Sequence, residues 1–280
     1  MKQKLKNAFG GDKLILIAAT VVVFAMFTLL NRNFLSWTNF VNILVATSLV
    51  GLVAIGHTYL IIAGQNDLSP GSLAAFSGVL AALLVSQGMN LYLSFLITIL
   101  AGALIGVFNA FMVNRIKLQA FIATLVTQSI VRGFAYILCD GRPIAIGGNE
   151  SAARLAGLNP RRIVLLCFVM MGMMCAIGGI VFAARMNSGQ PAANVNLEFD
   201  AITAVILGGV SFTGGVGTMG GTIIGVFLIQ AFNTGLTMVN VPSFWQYVAK
   251  GALLLFALTS DYIRKQNRER QLLEASKKNG

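Results

Sequence analysis

Long apolar runs alternate with short polar breaks along the whole chain, and most of the runs have the length of a bilayer crossing. Reading the runs between breaks predicts helical spans at 14–30, 41–63, 72–87, 91–113, 120–138, 163–184, 201–212, 220–239 and 244–262. The runs at 72–87 and 201–212 fall below the ~20 residues that a crossing helix needs, which predicts tilted, broken or re-entrant helices there. The break at 64–72, GQNDLSPGS, has a turn-forming composition between two apolar runs. Irregular backbone at membrane depth must line protein or water. The first run follows a basic arm, as the core of a signal peptide would. It is too long for that, and Asn31-Arg32-Asn33 offers no small-residue cleavage site, so it is expected to stay as a span.

Composition narrows the class. The 280 residues are 56% hydrophobic and 10% charged, against about a quarter charged in soluble domains, and the mean hydropathy is +0.80. A soluble globular fold is excluded, leaving an all-α polytopic membrane protein with about nine hydrophobic segments. The net charge of +11 would point to nucleic acid in a soluble chain. Here the basic residues gather at the ends and in short loops: Lys2, Lys4, Lys6 and Lys13 before the first run, Arg264, Lys265, Arg268, Arg270, Lys277 and Lys278 after the last. That distribution is a topology signal and implies no nucleic-acid partner. It also divides the chain into a single transmembrane domain, 1–263, and a basic tail, 264–280, expected in the cytoplasm.

The topology signal conflicts with itself at one place. The N-terminal lysines put the first residues in the cytoplasm, and four crossings return Arg115 and Lys117 to it. Span 120–138 then emerges outside with Asp140 and Arg142. Arg154, Arg161 and Arg162 follow directly and require the cytoplasm, as does counting backwards from the basic tail. An odd number of spans cannot satisfy both ends, so a crossing is missing after Asp140, or one span does not cross.

Few residues are candidates for chemistry. His57, Asp67, Arg132, Glu198, Asp200 and Lys250 are ionisable at apparent membrane depth, where such groups are functional candidates because desolvating them is costly. His57 and Asp67 could relay protons; equally, His57 could be a packing residue, and Asp67 or Ser69 could cap the helix that starts at Pro70. Glu198 and Asp200 suit a helix N-terminus, and Lys250 is expected to snorkel. The stretch 207–225, LGGVSFTGGVGTMGGTIIG, holds a literal GxGxxG at Gly215, Gly217 and Gly220 but neither the strand nor the acidic residue of a dinucleotide fingerprint. Packing or hinge roles suit Gly208, Gly209, Gly214, Gly215, Gly217, Gly221 and Gly225 better, as they suit Gly102 with Gly106. The sequence contains no GxxxxGK[ST] motif and no nucleophile–base–orienter set, so an enzyme is not expected. Cys139, Cys167 and Cys175 have no CxxC spacing and suggest neither a disulfide framework nor a metal site.

The segment 147–162, GGNESAARLAGLNPRR, resembles the cytoplasmic coupling loop, typically GGNxxAARLxGI, of permease subunits of bacterial ABC importers for monosaccharides, the ribose and arabinose type. QNDLSPGS at 65–72, AFIATLVTQSIVRGFAYIL at 120–138, ARMNSGQP at 184–191 and EFDAITAVILGGVSFTGGVGTMGGTIIG at 198–225 carry the same resemblance across most of the chain. FAYILCDGRP, RMNSGQP and FWQYVAKG look closer to arabinose-type permeases. The resemblance implies a passive gate in the inner membrane with a cytoplasmic N-terminus, translocating a pentose or hexose. It implies a cytoplasmic ATPase that holds ATP and magnesium, a periplasmic sugar-binding protein and a second permease copy, with no cofactor on this chain. Gly147, Gly148, Asn149, Glu150, Ala153, Arg154, Leu155 and Gly157 would dock the ATPase, and Asn66, Asp67 and Ser69 would lie on the sugar path. The sequence departs from the family's ten-helix pattern once. An external loop and a helix expected after GRP are absent, and 141–144 runs straight into 145–147, where the charge count fails. Two other readings stand beside the importer: a proton-coupled secondary sugar transporter and a non-transporting, truncated permease.

Overall fold

The computed structural model describes residues 2–140, 144–145, 160–186, 188–214 and 216–278, with side chains described for 13–140, 165–186, 188–214 and 216–266. Nine α-helices lie among the described residues: α1 Lys2–Leu30, α2 Trp37–Ile62, α3 Pro70–Ser86, α4 Leu91–Phe111, α5 Ala120–Leu138, α6 Pro160–Met186, α7 Leu197–Leu207, α8 Met219–Met238 and α9 Ser243–Lys278. Every expected span corresponds to a helix. Six contain a stretch long and apolar enough to cross a bilayer. The two short runs are the short helices α3 and α7, and α9 is long but interrupted by Lys250 and Asp261. The protein is an all-α polytopic membrane protein.

Local chemistry sets several boundaries. The Ser36 side chain accepts from the amide of Asn39 at the start of α2, and Asn90 does the same for Tyr92 and Leu93 at the start of α4. Pro70 occupies the first turn of α3, where its missing N–H removes no intrahelical bond. A π-turn, Met112–Ile116, ends α4, with Lys117 left-handed beyond it.

Helix α6 is the axis of the bundle and packs on α2, α3 and α4, with Phe168, Met171, Cys175 and Ala176 fully buried. Packing this close requires absent side chains: a Cβ on Gly172 would collide with the Gly102 carbonyl of α4, and one on Gly179 with the Ala74 carbonyl of α3. The contact series also fixes directions. Gly106 faces Phe168 while Gly102 faces Gly172, so α4 and α6 are antiparallel. Ala74 faces Gly179 while Gly78 faces Ala183, so α3 and α6 are parallel. Leu68 and Ser72 bond Thr124 and Arg132 in that order, so α5 also runs with α3.

Those directions give the bundle two ends. Arg115 and Lys117 after α4, the start of α6 and the loop before α8 lie at one, the basic end; Lys13 approaches Gly220 there, and Arg264 bonds the Ile206 carbonyl at the end of α7. At the far end, Ile144–Ala145 pairs antiparallel with Ser188–Gly189, just past the ends of α5 and α6. Helices α5 and α6 therefore run the same way. The chain is at the far end at Ala145 and at the basic end at Pro160, and only residues 146–159 connect them. A helix of that length reaches about 21 Å, short of the ~30 Å hydrocarbon core. Residues 146–159 themselves lie outside the described residues. Helix α5, the expected span 120–138, is one of the six long and apolar enough to cross a bilayer.

Because α6 packs against carbonyls, Gly172→Ala should destabilise the detergent-solubilised protein by about 1–3 kcal/mol through forced separation of α4 and α6. Gly133→Ala, where an added Cβ meets nothing within 4 Å, should leave the unfolding temperature unchanged. Thermal unfolding of both variants checks the contrast.

Candidate functional site

The half-helices α3 and α7 both begin inside the bundle, and most of the buried polar side chains collect around their starts. Residues 64–69 form the approach to α3. The Asp67 carboxylate accepts from the Ser69 amide at 2.7 Å and the Ser69 hydroxyl at 2.6 Å. Asn109 Nδ2 of α4 donates to that hydroxyl at 3.2 Å, and Thr127 of α5 donates to Asn109 Oδ1 at 2.7 Å. The Leu68 amide donates to Thr124 at 3.0 Å. His57 Nε2 of α2 lies 2.9 Å from the Asp67 carbonyl, which only accepts, so this nitrogen carries the proton. Asp67 and Ser69 are thus buried and tied to four helices. The cap belongs to the Asp67 side chain, reaching one residue ahead of the helix; Ser69, at the cap position itself, makes no side-chain cap bond. The buried Asn66 Oδ1 has no hydrogen-bond partner among the described residues.

The second half-helix is tied to the first. Glu198, in the first turn of α7, accepts from Gln128 of α5 at 3.1 Å, and its other oxygen lies where a Cβ on Gly71 of α3 would sit. A carboxylate in that place complements the N-terminal ends of both half-helices. Arg132 of α5 holds the turns that lead into α7: it donates to Ser72 at 3.1 Å and to the carbonyls of Pro191 and Ala193 at 2.8 and 2.7 Å.

Asp200, one turn into α7, faces away from Glu198. Its Oδ2 accepts from Lys250 Nζ of α9 at 2.7 Å and from Asn233 Nδ2 of α8 at 3.1 Å. The expectation that Lys250 snorkels is corrected: its ammonium pairs with the half-buried Asp200 carboxylate, a partner at membrane depth. Beside this pair lies a cleft of about 220 Å³ between α7 and α9, lined by Asn196, Phe199, Asp200, Thr203, Tyr247 and Lys250.

The glycines of 207–225 join α7 to α8. Gly208 lies against Gly221, Gly225 against the Ala204 carbonyl, and Gly217 against Val210; Gly209 and Gly214 have positive φ, and Gly214 meets Gly64 at the end of α2. Gly215 and the whole docking set, Gly147, Gly148, Asn149, Glu150, Ala153, Arg154, Leu155 and Gly157, lie outside the described residues. Sequence reasoning missed Gln128, Asn109 and Thr127. Part of the signal was present, since Thr124, Gln128 and Arg132 recur every four residues on one face of α5.

The profile of the family described as branched-chain amino acid transport system / permease component matches residues 39–143 and 141–258. Among curated proteins, the ribose import permease of Haemophilus influenzae is 32% identical over 87% of this chain and 91% of its own length. An L-arabinose ABC transporter permease of Azospirillum brasilense is 30% identical over 90% and 88%, and the ribose import permease of Bacillus subtilis 32% identical over 84% and 88%. No solved structure gives a significant match. The 293 aligned positions of the Haemophilus relative take up 87% of these 280 residues, leaving about 49 positions with no residue opposite them. The two profile segments meet at 141–143.

If Asp67 serves through its oxygens as a cap, Asp67→Asn should keep the fold. Asp67→Ala, which strands the Ser69 amide and hydroxyl, should cost about 1–2 kcal/mol. Unfolding temperatures of the two variants in detergent read the difference.

Proposed function

The chain belongs to this permease family, and from that premise we propose that it is the membrane subunit of an ATP-binding cassette importer that carries a monosaccharide, ribose- or arabinose-like, across the bacterial inner membrane. The observation that carries the reading is the similarity to sugar permeases over most of both chains. The bundle's outer surface supports it: Val22, Leu104, Phe121 and Phe256 are exposed apolar side chains suited to lipid. The proton-coupled alternative gains nothing from the geometry. His57 bonds the backbone carbonyl of Asp67 and not its carboxylate, so the two side chains form no relay.

The chain itself supplies a gate and no nucleotide chemistry; hydrolysis of ATP falls to a cytoplasmic ATPase, and sugar arrives on a periplasmic binding protein. In this reading the basic end is cytoplasmic, the N-terminus lies there, and two copies form the pathway. The segment 147–162 docks the ATPase, with Ala153 and Leu155 filling its groove and Arg154 meeting acidic residues. That assignment draws on α6 starting at the basic end. Force applied before Pro160 would pass along α6, which touches α2, α3 and α4, to the break that Asp67 and Ser69 hold. Asn66, Asp67 and Ser69 then act at a hinge on the sugar path.

Two measurements test this. Reconstituted with its ATPase and binding protein, the permease should take up labelled ribose or arabinose only with ATP, and uptake should not depend on a proton gradient. A cysteine at Ala153, in a background lacking Cys139, Cys167 and Cys175, should resist an impermeant thiol reagent on intact cells and react after lysis. Reaction on intact cells would place the docking segment outside, and the chain would then be a truncated permease without coupling.

A further inference from the structure

The cleft between α7 and α9 sits where a charged pair needs a reason to be. Lys250 lies seven residues into α9, about 10 Å below the far end, and Asp200 meets it at 2.7 Å with both side chains partly exposed. Ionisable groups at such depth face protein or a water-filled cavity, because hydrocarbon leaves them unsolvated. The pair does not close against the bundle; it borders open volume of about 220 Å³, below the range of drug-sized pockets and suited to one small molecule.

The lining has the chemistry of a sugar. Asp200 accepts, Lys250 donates, the Thr203 hydroxyl accepts while it donates to the Phe199 carbonyl at 2.6 Å, and the Asn196 amide can do both, which matches adjacent hydroxyls that each donate and accept. Phe199 and Tyr247, 40% and 54% exposed, stand at the mouth as flat apolar surfaces with a polar handle on Tyr247. They match the C–H face of a pyranose or furanose ring. Lys250 reaches the cleft from the far-end part of α9, the side from which a delivered molecule would enter.

Resting on the importer reading, we propose that the cleft formed by Asn196, Phe199, Asp200, Thr203, Tyr247 and Lys250 is a subsite that holds the sugar on its way through the permease. Asp200 and Lys250 are the polar floor, and the rings select a flat, hydroxylated ligand. Asn233, which bonds Asp200 from behind at 3.1 Å, is a positioning residue for the floor.

The test uses the full complex in proteoliposomes with tritiated D-ribose and L-arabinose, comparing wild type with Thr203→Val and Tyr247→Ala. Both variants should lose sugar uptake at least tenfold, while ATP hydrolysis stimulated by the binding protein stays within twofold, since neither residue belongs to the segment read as docking the ATPase. Uptake at wild-type level in both variants, or uptake and ATP hydrolysis falling in proportion, overturns the subsite. A wild type that imports neither sugar overturns the importer reading, and the subsite with it. Independently of flux, Thr203→Cys in the cysteine-free background should react with a hydrophilic thiol reagent applied at the far side, as exposed Gln87→Cys does, and either sugar should slow the reaction. Reaction at Gln87→Cys alone would show that water does not enter the cleft and would overturn the proposal.

Discussion

Two helices that start in the middle of a membrane protein leave their first amides without partners, and hydrocarbon supplies none. The arrangement around α3 and α7 answers that constraint. Asp67 takes the amide ahead of α3, Glu198 sits between the two helix starts, and Arg132 gathers the carbonyls of the segment leading to α7. Each of these side chains reaches across to another helix. The polar centre therefore decides which helices are neighbours, and apolar packing fills in around it.

Close backbone approach is the second half of the same solution. Helix α6 carries small residues where it meets α3 and α4, and α7 meets α8 through Gly208 and Gly221. Lipid tails are as apolar as the side chains, so helices gain little from burying Leu against Leu. They gain from dispersion contacts that small residues permit. The far half of α7 uses a different device, an ion pair to α9, and leaves space beside it. A packed seam on one side and a polar cleft on the other make α7 an element that can hold its place against α8 while its other face meets a ligand.

The match to the family profile divides at 141–143, in the connection from α5 to α6. Helices α5 and α6 point the same way, and 21 residues separate them in the sequence. Helix α6 is held by α2, α3 and α4, none of which depends on that connection.

Much of the fold was legible in one sequence. Bilayer physics turns apolar run length into spans, so the nine helices among the described residues and the shortness of α3 and α7 followed from hydropathy. The resemblance to sugar permeases followed from motifs such as EFDAITAVILGG. The site was legible only in part. Asp67 was, with Ser69, a cap candidate because its partners are two residues away, whereas Lys250 was misread because its carboxylate is fifty residues distant on a helix whose orientation no periodicity reveals. Gln128 with Glu198, and Arg132 with Pro191 and Ala193, are hidden for the same reason. Periodicity states which face of a helix is buried, and a charge count states which end is which. Which buried face meets which is decided by the packing of several helices at once, and there the tertiary structure alone placed a carboxylate, an ammonium and two rings around one cleft.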